Sequence, residues 1–84
     1  MIPTAMSTPR EPDPPYQRVA AWLRAEIGAG RLRPGEQVPS ATVLAAQFGV
    51  SRNTAVRALA LLRDEGLIVT QRGWGSFVAG EPGA

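Results

Sequence analysis

Eighty-four residues allow one domain with a modest core, and the absence of cysteine removes disulfide staples and thiolate metal sites. Histidine is absent too, so the usual general base near neutral pH and the commonest nitrogen ligand for metals are both missing. The net charge is +2, and all nine basic residues are arginine.

The seven acidic residues are scattered, with Asp64-Glu65 the one adjacent pair, so no carboxylate constellation suggests an enzyme, a cofactor or a metal. No apolar run approaches the roughly 20 residues that a bilayer demands. The N-terminus lacks the basic-then-apolar layout of a signal peptide, so a cytoplasmic protein is expected.

Residues 1–14 read as a disordered tail. Pro3, Pro9, Pro12 and Pro14, with small polar residues, cannot build a packed helix or strand. Arg10 stands among Glu11 and Asp13, which favours a plain tail over a DNA-touching arm. A first helix starts at Pro15 or Tyr16. Tyr16, Val19, Ala20, Leu23 and Ile27 recur at the spacing of one buried helical face, and Gly28 and Gly30 end it. Trp22 sits beside that stripe at the edge of the core.

Pro34-Gly35 is a turn dipeptide, and Pro39 pushes Val38 into an extended conformation. A strand of two or three residues is expected here, pairing with a later hairpin. Ser40 then caps a second helix whose core face is Leu44, Ala45 and Phe48.

Gly49 suits a tight turn, and Ser51 is a good N-cap for a third helix over Arg52 to Glu65. Its core face is Ser51, Ala55, Ala58, Leu59 and Leu62, with Arg52, Val56 and Arg63 along one flank. Arg52, Asn53 and Thr54 fill its first turn, with Arg57 just beyond. From Ser40 to Arg63 there are three arginines and no acidic residue. Arginine grips phosphate and guanine edges with two donors at once, so this stretch is that of a helix-turn-helix reading DNA.

Leu67–Gln71 and Ser76–Ala79 are strand-forming segments around Arg72-Gly73-Trp74-Gly75, a hairpin with a glycine-bracketed tip. Residues 81–84 complete the chain as a tail. The expected fold, over residues 15–80, is mainly α with a small antiparallel β wing. Its order is helix, short strand, helix, helix, β-hairpin: a winged helix-turn-helix.

The residues that carry these elements resemble the DNA-binding domain of the GntR family of bacterial transcription regulators. The likeness runs from Tyr16 to Val78 through Gly30-Arg31-Leu32, Val38-Pro39-Ser40, Phe48-Gly49-Val50-Ser51-Arg52, Glu65-Gly66-Leu67-Ile68 and Gly73-Trp74-Gly75-Ser76-Phe77-Val78. The resemblance implies dimers on a palindromic operator, with helix three in the major groove and the wing at the minor groove of double-stranded DNA. It nominates Ser40, Ser51, Arg52, Asn53, Thr54, Arg72 and Gly73 as DNA contacts; chemistry and position add Thr42, Arg57 and Trp74.

Three departures stand out. Thr42 and Val56 occupy positions where the family commonly has arginine, so fewer charged contacts are expected; Val56 could touch a thymine methyl instead. Trp74 is unusual at the wing tip, free to lie against DNA, to fold back over the wing or to stand idle in solvent. The sequence ends six residues after Val78, so no small-molecule effector domain is expected. The leading reading is a sequence-specific DNA-binding repressor; the alternative is a winged helix that docks on protein without specific DNA readout.

Overall fold

The computed structural model describes residues 14–80. The tails expected at 1–14 and 81–84 lie outside these, apart from Pro14. That residue is the N-cap of helix α1 (Pro15–Gly28), and its carbonyl accepts from the N–H groups of Gln17 and Arg18. Pro15 is tolerated at the first helical position because its missing N–H would have had no intrahelical partner. Val19, Ala20 and Leu23 are buried, while Tyr16 and Ile27 flank them half-exposed. Trp22 meets Phe48 edge-on, ring centroids 5.6 Å apart, and closes the rim of the core as its place beside the stripe suggested.

Helices α2 (Ala41–Phe48) and α3 (Arg52–Asp64) both start on serine caps. The Oγ of Ser40 accepts from Val43 N–H at 3.2 Å, and that of Ser51 from Thr54 N–H at 3.0 Å. Each satisfies one of the free donors of a helix start, an effect of about 1 kcal/mol. Between the helices Gly49 is left-handed at φ 67°, a conformation that side chains with a Cβ resist, and it turns the chain sharply into α3. At the far end of α3, Gly66 N–H donates to Arg63 O and Leu67 N–H to Leu62 O. This paired closure releases the chain into the wing.

The core gathers Val19, Ala20, Leu23, Val38, Ala41, Leu44, Ala55, Ala58, Leu62, Ile68 and Val78, so every element contributes. Leu59 and Leu61 are half-buried and pack against it. Helices α1 and α3 run parallel. Tyr16 meets Arg57 and Arg24 meets Glu65 at the same 41-residue offset.

The wing is β1 (Ile68–Gln71) paired antiparallel with β2 (Gly75–Val78), Ile68 opposite Val78 and Gln71 opposite Gly75. Alternation puts Ile68, Thr70, Ser76 and Val78 on one face and Val69, Gln71 and Phe77 on the other. The strand expected before α2 is reduced to a single bridge, Gln37 with Phe77. Val38 N–H donates to Ser76 O and Val78 N–H to Glu36 O, both at 2.8 Å. Beyond Val38 the chain leaves the wing through Pro39 and enters the Ser40 cap of α2.

Candidate nucleic-acid interface

The sequence-nominated residues fall into three places. Ser40 and Thr42 lie at the start of α2, Ser51 to Thr54 and Arg57 on the first turns of α3, and Arg72 to Trp74 at the wing tip. All are exposed except Thr54, which is half-buried.

Contacts divide them further. The Ser51 hydroxyl donates to Thr54 Oγ1 at 2.9 Å while accepting from Thr54 N–H, so its one donor is already committed to the helix start. Ser51 and Thr54 thus build the α3 terminus. Ser40 uses its hydroxyl only as an acceptor, toward Val43, and keeps its O–H free to donate. Arg52 reaches back across the turn, and its Nε donates to Thr42 Oγ1 at 3.4 Å. Asn53 stands beside it, exposed, its amide fork without a partner among the described residues.

Arg57 is drawn elsewhere. Its guanidinium lies over the Tyr16 ring, 4.1 Å from the centroid, a cation–π contact of about 0.5–1 kcal/mol at an exposed site. Arg57 is exposed, so the contact leaves its guanidinium within reach of solvent.

The electrostatic setting is one-sided. Among the described residues the ion pairs are Arg24–Glu65 and Arg31–Glu26. Arg24 holds the Glu65 carboxyl below its ordinary range, chiefly by side-chain hydrogen bonds and secondarily by charge; some desolvation opposes them. Arg52, Arg57, Arg63 and Arg72 have no carboxylate partner among the described residues.

A groove of about 370 Å³ runs between α3 and the inner face of the wing. Arg52, Val56, Ala60 and Arg63 form its helical wall, and Thr70 with Ser76 its wing wall. The two hydroxyls sit 3.4 Å apart. Arg63, Thr70 and Ser76 were not nominated from sequence. The flank Arg52–Val56–Arg63 was already visible in the helical period, but the pairing of that flank with two wing hydroxyls needs the hairpin register.

At the tip, Trp74 N–H donates to Gln71 O at 2.8 Å, and Gln37 Nε2 donates to Trp74 O at 3.0 Å. Gly75, at φ 114°, makes room for that second contact: a Cβ there would lie 2.6 Å from Gln37 Nε2. Gln37, unremarked in the sequence, therefore braces the wing. Trp74 is 76% exposed, so it does not fold back to shield the hairpin.

The sequence profile of bacterial regulatory proteins of the gntR family matches residues 15–78, the span of all five elements. The chain belongs to the gntR family. A gntR relative, the histidine utilization repressor of Klebsiella aerogenes, is 47% identical over 68 residues, covering 81% of this chain and 28% of that protein. The transcriptional repressor NagR of Bacillus subtilis is 39% identical over 70 residues, 83% of this chain and 29% of its own length. The chain thus spans under a third of these relatives, which are regulators and not enzymes. Among solved structures, the DNA-binding domain of AraR in complex with operator ORX1 superposes with a TM-score of 0.79 at 34% identity. That match covers 86% of this chain and 89% of the other. The winged helix-turn-helix is therefore the gntR-family fold, as the sequence suggested. No helix among the described residues is long and apolar enough to cross a membrane.

Proposed function

We propose that this chain is a sequence-specific DNA-binding module of a transcriptional repressor, acting on operator DNA in the cytoplasm. The observation that carries the reading is the carboxylate-free arginine flank of α3, which opens into the groove toward the wing. In this reading the first turns of α3 enter the major groove. Arg52 and Asn53 supply base contacts there, because a guanidinium fork fits guanine O6 and N7 and an amide fork fits adenine N6 and N7. Val56, 42% exposed one turn after Arg52, offers an apolar contact to a thymine methyl.

The wing tip, Arg72-Gly73-Trp74, reaches toward the adjacent minor groove, and the strand between the two grooves passes along the α3–wing groove. Arg63, Arg57 and the hydroxyls of Ser40, Thr70 and Ser76 then face phosphates, which fix register without reading sequence. Trp74 lies against a sugar at the groove edge. The fold's similarity to an operator-bound domain and the kinship with two repressors support this reading.

A single module of this size buries only about 600–1,000 Å² on DNA. Tight binding therefore takes two copies on the paired half-sites of a palindrome. Selection of bound duplexes from a random pool tests the proposal. A recovered consensus with two-fold symmetry is expected; a pool that stays random after repeated rounds overturns it and leaves protein docking as the use of the fold.

A further inference from the structure

We propose that Thr42 is a positioning residue that aims Arg52 at a guanine; the inference rests on the DNA-binding reading above. Arg52 is the first residue of α3 and Thr42 lies in the first turn of α2, so the Nε–Oγ1 contact spans the helix-turn-helix. The planar guanidinium can meet an acceptor side-on, through Nε and one terminal nitrogen, or end-on, through both terminal nitrogens. Arg24 shows the first mode inside this fold, with Nε and Nη2 on the two oxygens of Glu65. Arg52 cannot use it on DNA while Thr42 occupies Nε. Only the end-on pair of nitrogens is left, and it points away from α2.

The partner's chemistry matters as much as its direction. A carboxylate at position 42 would hold Nε equally well and would cancel the charge that DNA needs. The threonine hydroxyl is neutral, so Arg52 stays fully cationic while its plane is restrained. Restraint before binding reduces the rotamer freedom lost when the base is met. Both residues are exposed, and Thr42 is outside the buried core, so the contact contributes to recognition more than to folding.

The test uses the full chain and a selected duplex. Arg52→Ala first identifies the base pair at which the preference for guanine over adenine disappears; in the parent protein that preference is roughly tenfold or more. Thr42→Val keeps the shape and removes the acceptor. It should lower that preference by roughly two- to tenfold, the worth of one hydrogen bond, with the salt slope and melting temperature unchanged. Thr42→Ser restores the hydroxyl and should restore the preference.

Full preference in Thr42→Val overturns the positioning role while leaving the DNA-binding reading intact. Equal loss in Thr42→Ser and Thr42→Val also overturns it, because the methyl and not the hydroxyl would then be at work. Absence of any base preference in the parent protein overturns both proposals.

Discussion

At the C-terminal end of α3, Glu65 takes both prongs of the Arg24 guanidinium, Gly66 and Leu67 close the helix, and Leu62 is fully buried. At the N-terminal end, Arg52 and Asn53 stand exposed, and the nearest polar partner of Arg52 is a neutral hydroxyl on α2. One helix thus has an anchored end and a presented end. The difference identifies which arginines belong to the fold and which are available to a ligand. A guanidinium already paired with its own protein's carboxylate has its charge offset and one bidentate edge occupied. One without such a partner can give both to phosphate or base.

The largest loss should come from removing the buried side chain that supports both ends. Leu62→Ala should destabilise the fold by about 2–5 kcal/mol, a large part of the roughly 5–15 kcal/mol typical of a domain. Urea denaturation would measure it, and DNA binding should fall with the folded fraction. Next comes the presented end alone. Arg52→Ala should cost roughly 1–3 kcal/mol of binding at one base pair and leave the melting temperature unchanged. An equal loss on every sequence would make Arg52 a phosphate contact instead.

A gentler probe separates base readers from phosphate holders. Arg63→Ala should weaken all duplexes alike and reduce the log–log salt slope by about 0.9, the signature of one neutralised phosphate. The smallest effect lies at the anchored end. Arg24 holds the Glu65 carboxyl below its ordinary value of 4.5, so the ion pair stabilises the fold above that pH. The contribution fades as pH falls through the lower folded value. The melting-temperature gap between the parent and Glu65→Gln should be small, present at pH 7 and gone in acid. A gap that persists in acid would mean that packing, not charge, links α1 to α3.

The anchored and presented ends were not equally legible in the sequence. Caps and turns were, because they act over a few residues: Ser40, Ser51 and Gly49 fix where helices start and turn whatever surrounds them. The core faces followed from the helical period, and the hairpin from its glycine-bracketed tip. Long-range partners were not. The period turns Arg24 away from the core stripe without naming Glu65, which lies 41 residues along, or Trp74 as the residue whose carbonyl holds Gln37. The Tyr16 ring beneath the Arg57 guanidinium was likewise not legible, because the two residues lie 41 positions apart. Thr42 was noticed as a missing arginine. Its grip on Arg52 depends on the angle between α2 and α3, which no local pattern encodes.

Whether the arginine flank of α3 and the wing engage operator DNA is decided by fluorescence anisotropy over a salt series, with the selected palindromic duplex and a scrambled one of equal composition. Tighter binding to the palindrome is expected, with affinity on both duplexes falling steeply as salt rises. Equal binding to the two duplexes with almost no salt dependence would rule out operator recognition by this surface.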